Sequence, residues 1–136
     1  MTARSSGATT LLLLLAALMF GGFGVMLMLD PTWLDRWLEI RAGGAEGNTE
    51  LRAFYGGMEI GLALFLVACA TKPAWRGIGC VALTLLCGGT AAGRIYGFAV
   101  DHSFNAKLAA FLAIEVLFAV LPWVIGGRPK GPASPG

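Results

Sequence analysis

Four long apolar blocks alternate with shorter polar segments along the chain. A bilayer core is crossed by about 20 consecutive, mostly apolar helical residues, and each block is close to that length. The pattern predicts four membrane-spanning helices, at about residues 9–29, 51–70, 77–100 and 104–125. Because the connections after the second and third spans are short, we expect the last three spans to be consecutive antiparallel neighbours.

The first connection is longer and has its own pattern. Its apolar residues recur at helical spacing between charged ones: Trp33, Leu34, Trp37, Leu38 and Ile40. This predicts a short amphipathic helix at about residues 32–41, lying in the membrane interface with its tryptophans at headgroup depth. Packing over the end of the bundle is the alternative. The glycine-rich segment that follows, AGGAEGN, is expected to form a flexible turn. The predicted fold is an all-α integral membrane four-helix bundle, a single transmembrane domain over residues 1–136.

Composition agrees with a membrane protein. The chain is 57% hydrophobic and only 13% charged, with a mean hydropathy of +0.73, whereas soluble domains carry about 25% charged residues. The formal net charge of +2 is small and no basic run occurs. The sequence therefore gives no indication of a nucleic-acid partner.

The N-terminal segment has a basic residue before an apolar run, as a secretory signal does. The run continues through GGFGVMLML, which is longer than a usual signal core, and no clear A-x-A site precedes a polar segment. We therefore expect an uncleaved first span.

Orientation is predicted from lysine and arginine near the ends of the spans. The side with both termini has Arg4, Lys72, Arg76, Arg128 and Lys130. The opposite side has Arg36, Arg41, Arg52, Arg94 and Lys107. Arg52 and Arg94 fall within predicted helices, and without them the count favours both termini in the cytoplasm.

Glycines at close spacing indicate where helices approach one another. They are Gly89, Gly93 and Gly97 in the third span, Gly57 and Gly61 in the second, and the GGFG of residues 21–24 in the first. We expect these glycines to pack within the molecule, with a dimer face as the alternative.

Several ionisable residues lie inside or at the edge of the spans. With a helical rise of about 1.5 Å per residue, Glu59 lies about 12 Å, Arg94 about 9 Å and Glu115 about 16 Å below the outer ends of their helices. A charge facing lipid costs at least about 2.5–3.5 kcal/mol. We therefore expect an inward cluster with Arg94 between the two glutamates, and with Arg52 and Asp101 nearer the surface. Tyr55 and Tyr96 are candidates to line the same pocket. The candidate ligand-binding residues are Arg52, Tyr55, Glu59, Arg94, Asp101 and Glu115.

This cluster admits three interpretations. It is a buried ion-pair network that fixes helix register, a site for a lipid headgroup, small amphiphile or partner helix, or a proton or ion pathway. We favour a non-enzymatic binding or accessory protein. Its partners would be membrane lipids, another membrane protein or a second copy of the chain. The rival is an oligomeric proton- or solute-coupled transporter with Glu59 and Glu115 as carriers.

No motif indicates a catalytic residue, a metal or a cofactor. The chain has one histidine, and Cys69, Cys80 and Cys87 lack metal-ligand spacing. A phosphate-binding loop of the Walker type is absent as well. His102, beside Asp101, is expected to be a solvated loop residue.

Three stretches resemble a bacterial family catalogued as domain of unknown function four-three-four-five. They are ELRAFYGGMEIGLALFL at 50–66, GRIYGFAVD at 93–101 and the glutamate within LAIEVLFAVL at 112–121. The resemblance implies a small four-helix protein of the bacterial inner membrane and no particular activity. It marks as characteristic Glu50, Arg52, Gly56, Gly57, Glu59, Gly93, Arg94, Asp101 and Glu115.

Overall fold

The structure, a computed structural model, describes residues 3–126, with side chains for residues 6–125. Arg128 and Lys130, counted above for orientation, lie outside the described residues, as does the side chain of Arg4. The described chain is almost entirely helical and contains no strand. Four of its helical stretches are long and apolar enough to cross a membrane, which confirms the predicted fold.

The helices begin and end close to the predicted positions, with two exceptions. The helical segments are α1 (Ala3–Leu29), α2 (Trp33–Leu38), α3 (Ala45–Leu51), a π-helical segment (Arg52–Gly57), α4 (Met58–Thr71), a 3₁₀ turn (Pro73–Trp75), α5 (Arg76–Asp101) and α6 (Ala106–Gly126). The prediction of a flexible turn up to residue 48 is wrong, because α3 begins at Ala45 and runs without a break into the second span. The second exception is α1, which begins at Ala3, six residues before the predicted start. The helix extends past its apolar part towards the N-terminus and includes Ser6 and Gly7.

The bundle consists of two closely packed pairs, α1 with α4 and α5 with α6, while α4 and α5 pack less extensively. As expected for consecutive neighbours, the second span contacts the third and the third contacts the fourth, and the extensive packing of α1 on α4 is an additional contact. Glycines explain the tightest crossing. A Cβ atom on Gly24 of α1 would lie 2.9 Å from the Gly56 carbonyl oxygen, and one on Gly56 would lie 3.1 Å from the Met28 Cα.

The other predicted glycine contacts are not made. A Cβ atom on Gly61, Gly89 or Gly93 would meet nothing within 4 Å, and one on Gly97 would meet only Asp101 of its own helix. The prediction that these glycines pack within the molecule is wrong, because the faces of α4 and α5 that carry them point away from the other described helices.

The core fills the half of the bundle that contains the start of α1. Leu13, Leu66, Cys69 and Leu83 are fully buried there, and alanines between them let the helices pack closely. At this end Arg76 donates hydrogen bonds to the Ala70 carbonyl and to the Ser6 hydroxyl. These contacts attach the first helix to the turn between the second and third spans.

The amphipathic helix α2 packs on the opposite end of the bundle. Leu34 is fully buried, and the Trp33 ring meets Phe23 of α1 edge-on with 5.5 Å between ring centroids. Lys107 at the start of α6 donates a hydrogen bond to the Trp37 carbonyl. The structure thus agrees with the alternative in which this segment covers the end of the bundle.

An acidic residue fixes the entry to α2. Asp30 accepts hydrogen bonds from the Thr32 amide and hydroxyl and forms an ion pair with Arg36 at 2.6 Å. The hydrogen bond from Arg36 holds the pKa of the Asp30 carboxyl below its ordinary value. The stabilisation that the Asp30 carboxylate gives to the start of α2 is therefore complete near neutral pH, and it is lost as acid protonates the carboxyl.

Candidate functional site

An ion pair between α5 and α6 lies inside the bundle. The Arg94 guanidinium binds the Glu115 carboxylate through two nitrogens, Nε to Oε2 at 3.0 Å and Nη2 to Oε1 at 2.5 Å. Only 23% of the Arg94 side chain and 15% of the Glu115 side chain are exposed. This two-point geometry is the strongest form of the arginine–carboxylate interaction. The predicted contact between these residues is therefore present.

One turn of α6 provides a second contact for the same guanidinium. Phe111 lies four residues before Glu115, so both side chains point to the same face of the helix. The Arg94 guanidinium carbon lies 5.4 Å from the centre of the Phe111 ring, within the range of a cation–π interaction. α6 therefore holds Arg94 from two sides.

Glu59 does not join this ion pair. Its Oε2 atom is buried and has no hydrogen-bond partner among the described residues. The ion pairs formed by those residues do not include Glu59 either. The prediction that Arg94 lies bonded between two glutamates is wrong in this respect. Glu115 binds two nitrogens of the guanidinium, whereas Glu59, on α4, does not come within ion-pair distance of it.

The three residues nevertheless line one cavity. It has a volume of about 460 Å³, and Glu59, Arg94 and Glu115 provide its polar surface. The rest of its wall is apolar, and α1 contributes most of it through Met19, Phe20, Gly22, Phe23 and Met26. Trp33, Phe111 and Ile114 complete the lining. A polar group surrounded by apolar and aromatic side chains is the usual composition of a small-molecule site, and the volume falls in the usual range of about 300–1,000 Å³.

The cavity lies in the half of the bundle capped by α2, between α1 and α6. Gly22 and Ile114 belong to its lining, are exposed, and lie within α1 and α6 rather than at the ends of these helices. When the four helices span a bilayer, both residues lie at the depth of the lipid tails.

The helix that carries Glu59 is irregular just before it. Residues Arg52–Gly57 form a π-helical segment, a widening that often occurs at functional sites. Gly24 lies against this part of α4, since a Cβ atom on Gly24 would be 3.1 Å from the Glu59 Cβ. The glycine contact thus places the Glu59 backbone directly against α1.

The remaining candidate residues lie elsewhere. Arg52 donates a hydrogen bond of 3.0 Å to the Met28 carbonyl at the end of α1, and Asp101 is exposed at the end of α5. Tyr55 and Tyr96 are 39% and 70% exposed and do not line the cavity. In the described residues no group of three or more histidine, cysteine, aspartate or glutamate side chains lies together.

Sequence reasoning missed the apolar wall of the site. Met19, Phe20, Phe23 and Met26 recur at helical spacing on one face of α1, and this is the signal that was available. It was hidden because every face of that helix is apolar, so the pattern alone does not tell a cavity wall from a lipid-facing surface.

Searches of curated proteins and of solved structures found no match to the chain. The family model described as "Domain of unknown function (DUF4345)" matches residues 8–125, which confirms the family resemblance noted in the sequence. The match also includes the first span and the tryptophan-bearing segment, which the three stretches within residues 50–121 had left outside the resemblance. The match covers all four long helices and every residue of the polar cluster, and the chain therefore belongs to the DUF4345 family.

Proposed function

We propose that this protein binds an amphiphilic molecule from the bilayer in the cavity between α1 and α6. The observation that supports it best is the combination of a largely apolar cavity of about 460 Å³ with a buried carboxylate oxygen that lacks a partner. A buried polar atom without a hydrogen bond is costly. Glu59 lines this cavity, and a bound polar group that reaches its carboxyl would supply the bond that the buried oxygen lacks. The apolar wall would receive the chain of the same molecule.

The location of the cavity supports a ligand that arrives through the membrane. Gly22 and Ile114, two exposed residues of its lining, lie within α1 and α6 rather than at the ends of these helices, so a ligand that enters between them would come from the lipid. Met19 and Met26 in the wall are flexible side chains that adapt to ligands of different shape. The protein would act as a binding or accessory protein of the bacterial inner membrane.

Saturable photolabelling tests this proposal. The protein in nanodiscs of a zwitterionic lipid is incubated with a twelve-carbon alcohol that carries a photoreactive diazirine in its chain, and labelled peptides are identified by mass spectrometry. We expect labels on Met19, Met26 and Ile114 that unlabelled dodecanol displaces. Labels spread over all lipid-facing residues without saturation would contradict the proposal.

A pair of glycine variants provides the matched control. Gly22 lines the cavity and Gly89 does not, and a Cβ atom at either position meets nothing within 4 Å. Gly22→Leu should therefore reduce the saturable labelling, because the new side chain occupies the mouth of the cavity. Gly89→Leu should leave it unchanged.

Proton or solute flux into reconstituted vesicles that Glu59→Gln abolishes would instead favour the alternative function, an oligomeric proton- or solute-coupled transporter.

A further inference from the structure

The charged residues around the cavity restrict which headgroup a ligand can have. This inference rests on the proposed function, the binding of an amphiphile in the cavity. Its polar wall has two carboxylates, Glu59 and Glu115, and one guanidinium, Arg94. Glu115 binds Arg94 through two hydrogen-bonded nitrogens, so each largely neutralises the other. The carboxyl group without a partner in the described structure is therefore that of Glu59.

An anionic headgroup is a poor match for this arrangement. To reach Arg94 it would approach the Glu115 carboxylate already bound there, and it would face Glu59 as well. Like charges at short range in an apolar setting repel strongly. A positively charged head, in contrast, would bring Glu59 the partner that it lacks.

The aromatic lining favours the same sign of charge. Phe20, Phe23 and Trp33 line the cavity beside Glu59, and aromatic ring faces attract ammonium groups, including quaternary ones that donate no hydrogen bond. Phe111 already holds the Arg94 guanidinium in this way. Trp33 is fixed in position because its ring packs edge-on against Phe23 and stacks on Trp37 at 5.5 Å.

We infer that the cavity selects cationic amphiphiles, single-chain molecules with an amine or quaternary ammonium head. Glu59 pairs with the charged head, the rings of α1 and α2 surround it, and the chain lies along Met19, Met26 and Ile114. The Arg94–Glu115 pair lines the same cavity and, being already paired, does not attract anionic heads. Glu59 is thus the residue that determines specificity.

Competition among ligands of equal chain length tests the inference. Dodecyltrimethylammonium, dodecanol and dodecanoate, all below their micellar concentrations, compete with the photoreactive alcohol, and each is corrected for its partition into protein-free nanodiscs. We expect half-displacement by the ammonium compound at a concentration about tenfold lower than by dodecanoate, because an ion pair and cation–π contacts act together.

Variants at Glu59 show whether that preference comes from this residue. Glu59→Gln removes the charge with little change in shape and should reduce the preference to within about twofold. Glu59→Asp keeps the charge and should retain most of it. Glu50→Gln is the matched control, since Glu50 is exposed on α3 and lies outside the cavity.

The outcomes separate the inference from the proposed function. Saturable labelling with no preference among heads, or with a preference for dodecanoate, would overturn the inference and leave the amphiphile site standing. A preference for the ammonium compound that persists in Glu59→Gln would overturn the role of Glu59. If no saturable labelling occurs with any head, the proposed function itself fails.

Discussion

Arg94 and Glu59 are both ionisable residues within membrane spans, yet the protein accommodates them differently. Arg94 has a carboxylate bound at two nitrogens and a ring face at 5.4 Å. Glu59 has a buried oxygen without a partner among the residues described. An ionisable residue inside the bilayer is a functional candidate by default, and Glu59 is the one that has a buried oxygen without a partner. Under the proposed function, the Arg94–Glu115 pair holds α5 to α6 and Glu59 is the group that meets the ligand.

Breaking the Arg94–Glu115 pair should destabilise the protein. Arg94→Gln leaves the Glu115 carboxylate largely buried and unpaired, with an expected loss of about 3 kcal/mol in the free energy of unfolding. Combining it with Glu115→Gln removes both charges and should recover most of that loss. The measurement is thermal unfolding in nanodiscs, followed by circular dichroism.

An exposed pair serves as the control for that experiment. Arg36 and Asp30 are about half exposed, so Arg36→Gln should cost less than about 1 kcal/mol. If the double variant at Arg94 and Glu115 is as unstable as the sum of the two single variants, the residues are not coupled and the pair has no structural role.

The sequence allowed part of this residue-level picture to be predicted. The cost of charge in lipid was enough to pair Arg94 with Glu115. It was not enough for Arg52 and Glu59, which the seven-residue spacing places on one face of a regular α-helix. Both side chains do lie towards α1, since Arg52 binds the Met28 carbonyl and the Glu59 Cβ lies against Gly24. The spacing did not show that Glu59 would line a cavity outside the Arg94–Glu115 ion pair.

At the scale of elements, the crossing of α1 and α4 determines where Glu59 lies. The backbones meet at Gly24 and Gly56, where a side chain on either would touch backbone atoms of the other helix. The sequence showed these glycines, and it showed Gly61, Gly89 and Gly93 just as clearly. Only the three-dimensional packing tells which glycines lie in a contact, because small residues are equally compatible with a lipid-facing surface.

Two alanine substitutions should distinguish a glycine in the crossing of α1 and α4 from a glycine outside any helix contact. Gly24→Ala places a Cβ atom 2.9 Å from the Gly56 carbonyl oxygen, which belongs to a backbone and moves only with its helix. We expect a loss of about 2 kcal/mol from this overpacking. Gly61→Ala meets nothing within 4 Å and should be neutral or slightly stabilising, since alanine favours helix more than glycine does.

Thermal unfolding in nanodiscs measures both variants. Equal midpoints for Gly24→Ala and Gly61→Ala would show that the close crossing is absent from the folded protein. The Gly24→Ala variant should also show weaker photolabelling of the cavity, because the Glu59 Cβ lies against Gly24.

At the scale of the whole molecule, the basic residues favour one orientation. Arg94 is bound to Glu115 within the bundle and Arg52 to the end of α1, so neither acts as a free charge in a loop. That end keeps three basic residues outside the spans, Arg36, Arg41 and Lys107. The other end has five, Arg4, Lys72, Arg76, Arg128 and Lys130. We propose that this second end, with both termini, is cytoplasmic.

Reporter fusions test the orientation. A fluorescent protein that matures only in the cytoplasm should be fluorescent when fused to the C-terminus. Alkaline phosphatase, which is active only outside the cytoplasm, should be active when fused after Asn105, in the connection between α5 and α6. The reverse pattern would place both termini outside.

The wall that α6 contributes to the cavity has a consequence for the biogenesis of the protein. The ribosome makes the helices in order, so α1 and α4 meet while Arg94 still lacks its carboxylate partner. Phe111, Ile114 and Glu115 emerge later, on the last of the described helices. α6 thus supplies both the partner of Arg94 and a wall of the cavity. A chain that stops before α6 leaves Arg94 without its carboxylate and the cavity without that wall.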